Sequence, residues 1–207
     1  MKTVYSKYIK RALDFIISLL ALTVLSPLLL VLTLVGAVKM RGNPFFVQER
    51  PGRNGRVFRL IKLRSMTNEK KNGELLPDEE RLTGYGRFLR RTSLDELPEL
   101  WNILVGHMSI VGPRPLLVKY LPLYNAHQAR RHEVRPGLTG WAQINGRDEL
   151  EIDVKAKLDG YYVKILNKGG WKAFGMDVRC FLGTAIGALR GDGVVEGGTG
   201  ELHKKEK

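Results

Sequence analysis

Residues 15–38 read FIISLLALTVLSPLLLVLTLVGAV, 24 consecutive residues without a charge. As a helix the run reaches about 36 Å, against a bilayer hydrocarbon core of about 30 Å. It is long enough to cross a membrane. It is too long for a cleaved signal, and Lys39, Met40 and Arg41 follow it where small residues would mark a cleavage site. The segment is therefore expected to stay in the mature protein. Lys2, Lys7, Lys10 and Arg11 precede it and Lys39, Arg41, Arg50 and Arg53 follow it, whereas a crossing helix takes its orientation from an asymmetry of such charges. Both flanks have cytoplasmic character. Ser26-Pro27 stands at the midpoint, where proline removes a helical hydrogen bond and serine can satisfy the freed carbonyl. Two shapes fit: a proline-kinked spanning helix, or a re-entrant helix that bends back at Ser26 and Pro27.

Beyond this segment, the 207 residues allow one substantial core. The net charge of +13 implies an anionic partner: nucleic acid, an anionic membrane surface or a phosphorylated substrate. Cys180 is the only cysteine, which excludes an intrachain disulfide, and the four histidines, with His127 and His132 five apart, lack zinc spacing. Residues 44–49 and 57–64 are β-prone and flank Gly52-Arg53-Asn54-Gly55, whose Asn-Gly pair predicts a β-hairpin. Residues 67–77, polar and carrying Lys70 and Lys71, read as a loop. Leu97, Leu100, Trp101 and Leu104 recur at helical spacing and are expected in the core. Between Trp171 and Leu189 a helix is predicted, with Trp171, Phe174, Phe181, Leu182 and Ile186 apolar and Lys172, Arg179 and Arg190 polar. Such a helix fits a membrane interface or an ordinary core face equally.

The chemistry-bearing residues lie between these elements. Asp95-Glu96 follows Arg87, Arg90 and Arg91 and precedes Gly112-Pro113-Arg114-Pro115. A carboxylate can hold a divalent metal or attack phosphorus, while arginines bind phosphate oxygens. Ser93-Leu94-Asp95-Glu96 also fits a helix-capping box, which alone would explain both acids. Pro98 argues against it, because it would sit at the fifth position of such a helix; a helix starting near Pro98 leaves the acids at or before its N-terminus. In the second motif, Pro113 fixes its own dihedral and Pro115 pushes Arg114 into an extended conformation, so a stiff backbone presents the guanidinium. Arg135-Pro136-Gly137 repeats a cation beside a turn and could offer backbone N–H groups to an anion. Lys62 and Asp159 are weaker candidates on their own. No Walker motif, dinucleotide fingerprint or Asp-x-Asp is present.

The ordered set Gln48-Glu-Arg-Pro-Gly52, Lys62-Leu-Arg-Ser-Met66, Ser93-Leu-Asp-Glu-Leu-Pro98, Val111-Gly-Pro-Arg-Pro115 and the run from Arg135 to Gly146, behind an apolar segment with a central Ser-Pro, resembles the bacterial sugar transferase family. These are small monotopic phosphoglycosyl transferases, and the likeness runs from about residue 7 to residue 190. It implies transfer of a sugar 1-phosphate from a UDP-sugar to polyprenol phosphate, undecaprenyl phosphate, with release of UMP. It also implies magnesium (Mg2+), and places the enzyme at the cytoplasmic face of the bacterial cell membrane, in surface glycan synthesis such as exopolysaccharide, capsule or lipopolysaccharide. By the same likeness Asp95 is the nucleophile and a metal ligand, and Glu96 assists the metal or the acceptor. Lys62, Arg91, Arg114 and Arg135 are the candidate phosphate contacts, and Asp159 completes the polar site. Residues 148–153 depart from the family run, which leaves the donor sugar open.

The expected fold is α+β and mainly helical. It comprises a membrane-associated re-entrant helix over residues 1–40, a cytoplasmic catalytic domain over 41–190 with a small β-hairpin and interfacial amphipathic helices, and a flexible tail over 191–207. Membrane lipids are expected partners, at about 1 kcal/mol for each well-placed cation. Two rivals stand beside this reading. A membrane-anchored nucleic-acid-binding protein would interleave cations with exposed aromatics, but here the cations sit beside Pro and Gly turns, so nucleic acid is not the expected partner. A direct glycosyltransferase would release UDP.

Overall fold

A computed structural model describes residues 3–146 and 150–190. A π-helical turn, Tyr5–Ile9, runs straight into α1, Lys10–Lys39. Pro27 lies inside α1, and Ser26 Oγ donates to Thr23 O at 2.8 Å. Thr23 O is the carbonyl four residues before Pro27, the one a proline leaves unserved. The expected serine compensation is present. Helix α1 is one element, with Pro27 inside it.

Both ends of α1 pack on the same body. Near its start, Arg11 Nη1 and Nη2 donate to the carbonyls of Ile103 and Leu104, each at 2.7 Å, and Asp14 Oδ1 accepts from Ile110 N at 3.0 Å. Near its end, Tyr85 OH donates to Leu32 O at 2.6 Å. Ala21, Leu22 and Leu25 touch the main core between these points. The outer face is bare: Leu20, Val24, Leu30, Val31, Leu34 and Val38 are exposed. The helical stretch Tyr5–Lys39 is long and apolar enough to cross a membrane.

Strands β1, Phe45–Pro51, and β2, Val57–Leu63, pair antiparallel around Asn54 and Gly55, whose φ values of 57° and 72° are those the Asn-Gly turn requires. Where a loop was expected, β3, Lys70–Lys71, pairs with β4, Glu74–Leu75. Its turn is Asn72-Gly73, both at positive φ; the same dipeptide signal stands in the sequence there. The short α2, Asp78–Arg81, then leads to α3, Gly84–Thr92. Helix α4, Glu99–Leu104, comes next. It is fastened to β2 by Asn102, which donates to Arg59 O at 2.8 Å and accepts from Ile61 N at 3.1 Å. This contact turns Leu100 and Ile103 inward and leaves Trp101 52% exposed, so the expected apolar stripe is corrected at Trp101.

β5, Ser109–Val111, runs parallel to β6, Gly137–Thr139, with α5, Ala126–Ala129, between them in sequence. The chain closes with α6, Trp141–Ile144, α7, Ile152–Lys168, and α8, Gly170–Arg190. Ile103, Met108, Val111, Val134, Val163 and Leu166 form the centre of the core, and Leu32, Leu63 and Leu89 form a satellite under α1. Helix α8 turns Ala173, Met176, Asp177 and Cys180 inward, and its larger apolar residues Trp171, Phe181, Leu182 and Ile186 face out. An ordinary core helix would do the reverse. Buried Asp177 ties α8 to the first helical turns: Tyr5 OH donates to it at 2.6 Å, Lys10 Nζ at 2.7 Å and, from α7, Tyr162 OH at 2.8 Å. Tyr162 OH also reaches Val111 O at 3.0 Å, so this network ends on β5. The expected tail over 191–207, and Asp148 and Glu149 of the divergent run, lie outside the described residues.

Candidate active site

The acid pair owes its position to the end of α3. Ser93 adopts the left-handed conformation, φ 55°, that terminates a helix, and its side chain makes no capping bond to the next turn. The capping-box reading is thereby excluded. Leu94–Glu96 form a 3-10 turn, Pro98 stands immediately before α4, and Asp95 and Glu96 project from the junction between two helices.

Glu96 is locked in place. Lys62 Nζ, on β2, donates to its Oε1 at 2.7 Å, and Arg114 Nη2 and Nη1 donate to Oε1 and Oε2. Burial opposes the Glu96 charge, but Arg114 and Lys62 outweigh it and hold the carboxyl well below the usual carboxylate range. Lys62 also contacts Glu99 at 3.1 Å. Burial works against the lysine's charge too, but Glu96 and Glu99 outweigh it and keep the ammonium protonated.

Asp95 is the opposite case. It is half-buried, and it makes no hydrogen bond or ion pair with other described residues. Burial first, and the Glu96 charge second, push its carboxyl up to about 6, against the opposing pull of Lys62, Arg114 and Arg90. At neutral pH it is an ionised carboxylate with two strong cations close by and no donor attached among the described residues. That is what attack on a phosphorus centre needs.

Backbone packing fixes Arg114. Gly112 N donates to Thr139 O at 2.7 Å and Gly137 N to Pro113 O at 3.0 Å. A Cβ on Gly112 would lie 2.5 Å from Arg135 O, and one on Gly137 2.1 Å from Gly112 N. The glycines of two separate motifs thus let β5 and β6 approach and fasten Pro113, next to Arg114, to the start of β6. The Gly137 amide, expected to be open to an anion, is consumed in this pairing. Arg131 Nη2 then donates to Arg114 O at 3.3 Å and to Asp159 Oδ2 at 2.6 Å. Asp159 therefore reaches the site through Arg131; burial pushes its carboxyl up to about 6 despite that partner.

The structure brings Lys62, Asp95, Glu96 and Arg114 together, with Asp159 behind them. It does not bring in Arg135, whose Nε donates to Gly106 O at 2.9 Å. Nor does it bring in Arg91, which is exposed, while its neighbour Arg90 bonds Ser65 Oγ at 3.0 Å and lies within electrostatic reach of Asp95. Glu99, Arg131 and Asn102 were missed. The three-residue spacing from Glu96 was a signal for Glu99; Arg131, inside Arg130-Arg131-His132, had none.

The bacterial sugar transferase family model matches residues 5–191. The chain belongs to the bacterial sugar transferase family. This sugar transferase is 46% identical over 187 residues, 90% of both chains, to a Bacillus subtilis protein named uncharacterized sugar transferase EpsL. It is 40% identical over 171 residues to the Escherichia coli UDP-glucose:undecaprenyl-phosphate glucose-1-phosphate transferase, covering 77% of this chain and 37% of that one. With the Salmonella typhimurium undecaprenyl-phosphate galactose phosphotransferase the identity is 34% over 207 residues, covering 91% and 42%. The sugar transferase thus spans less than half the length of these last two relatives.

Proposed function

We propose that this transferase moves a sugar 1-phosphate from a UDP-sugar to undecaprenyl phosphate through a covalent aspartyl phosphosugar intermediate. The carrying observation is the contrast within the acid pair: Glu96 bound by Lys62 and Arg114, Asp95 bound by nothing among the described residues. The Asp95 carboxylate forms a bond to the sugar-bearing phosphorus of the donor, and the bond from that phosphorus to the bridging oxygen breaks, releasing UMP. A phosphate oxygen of the lipid then attacks the same phosphorus and returns Asp95 to a free carboxylate. No net proton is required. Lys62 and Arg114 lie where phosphate charge accumulates, and a covalent intermediate lets a soluble donor and a lipid acceptor use one site in turn.

Magnesium fits this donor set in one form. Glu96 is occupied by cations, and no cluster of three His, Cys, Asp or Glu side chains suited to a metal occurs among the described residues. One carboxylate, Asp95, would hold the ion, with substrate phosphates and waters completing a shell typical of Mg2+. When bound it would neutralise phosphate charge.

Membrane placement follows from α1 and α8. Both ends of α1 pack on one domain, both flanks are basic, and the outer faces of α1 and α8 are apolar and exposed. These features favour a monotopic arrangement on the cytoplasmic face, with α1 entering and leaving from the same side and α8 in the headgroup region. The deciding experiment incubates purified protein and magnesium with a panel of UDP-sugars and identifies the released nucleotide. UMP is expected, with up to one equivalent released before acceptor is added, and Asp95→Asn should form no adduct while staying folded. Release of UDP, or an adduct of undiminished yield in Asp95→Asn, would overturn the reading.

A further inference from the structure

One carboxylate in the site has no part in the chemistry above. Glu99 is only 2% exposed, at the first turn of α4, and among the described residues its ion-pair partner is Lys62 at 3.1 Å. Lys62 is shared: the same ammonium lies 2.7 Å from Glu96. Asp95, Glu96 and Glu99 therefore face two principal cations, Lys62 and Arg114. Glu99 is surrounded by charge, with Lys62 on β2, Glu96 on the 3-10 turn, Arg114 after β5, and Arg50 on β1 within electrostatic range. The carboxylates already outnumber these two cations, and a diphosphate entering the site adds negative charge that draws on the same pair.

We infer that Glu99 is a positioning residue that takes up a proton when an anionic nucleotide binds, releasing Lys62 from carboxylate to phosphate. The inference rests on the function proposed above. When Lys62 turns toward a phosphate, Glu99 loses its partner and gains a second like charge nearby. An ionised carboxylate so deeply buried then becomes untenable and is protonated from solvent. The proton adds to a carboxylate oxygen and no other bond changes. Burial and Glu96 already push this carboxyl up to about 7, so the uptake needs only a modest further shift at physiological pH. Substitution by Gln keeps an acceptor for Lys62 and removes the proton site.

UDP is a suitable probe, because it lacks a sugar and cannot react. Calorimetric titration of the full chain with UDP at pH 7.5, in two buffers of different ionisation enthalpy, reads the protons taken up on binding. Wild type should take up a substantial fraction of a proton more than Glu99→Gln, a difference from which the nucleotide's own titration cancels. In parallel, UDP affinity of wild type should fall severalfold more than that of Glu99→Gln between pH 7 and 8.5, with a limit of tenfold per unit for one proton. Should Glu99→Gln fail to fold, the infrared difference spectrum of wild type on adding UDP still reads the event: a protonated-carboxyl band should grow. Binding without extra uptake and without that band overturns the inference and leaves the proposed function standing. No UDP binding by wild type overturns both.

Discussion

Asp95 and Glu96 are adjacent, but the fold gives them opposite electrostatics. In the proposed reaction Asp95 must be ionised to attack, and its carboxyl is pushed up to about 6 by burial and by Glu96. It is protonated below that value, so kcat/KM should fall about tenfold per unit as pH drops below 6 and level off above it; a pH profile with a soluble donor checks this. An acid limb near 4 would mean that Asp95 is not the group titrating. The pair itself was legible because acids set among so many arginines are unusual. Their opposite environments were not, since these depend on Lys62 and Arg114 arriving from β2 and from the end of β5. Glu99 and Arg131 were invisible for a related reason. Each looks like an ordinary surface charge until its partner, Lys62 or Asp159, is placed beside it.

At the scale of elements, Asn-Gly turns and long apolar runs speak plainly in the sequence, and the first hairpin and α1 lie close to where those signals put them. The parallel pair of β5 and β6 does not. Each strand is three residues long and is bordered by Pro and Gly that read as turns, yet those glycines are what allow the strands to meet. Gly137→Ala tests this. Its methyl would fall 2.1 Å from a backbone nitrogen that cannot step aside, so overpacking should cost about 1–3 kcal/mol. It should also lower kcat more than tenfold, because Pro113 and Arg114 move with Gly112. Thermal denaturation and single-turnover adduct formation measure the two effects; a stable, fully active variant would show that the pairing is dispensable to Arg114.

For the whole molecule, the decisive relation is between α1 and the domain beneath it. Cysteines introduced at Tyr8 and Gly42, two exposed positions bracketing α1, should both react with an impermeant thiol reagent only from the cytoplasmic side of inverted and right-side-out vesicles. Labelling from opposite sides would restore a spanning helix. Tyr5 would be a poor choice for this experiment, because it is buried against Asp177. That contact has a consequence in time. Lys10 is translated long before Asp177, so its charge lacks that partner until α8 has been made. Only when α8 is released can Asp177 neutralise it and, through Tyr162, brace β5. The brace is therefore absent from a nascent chain until α8 has been translated, and a product truncated before Asp177 cannot complete it.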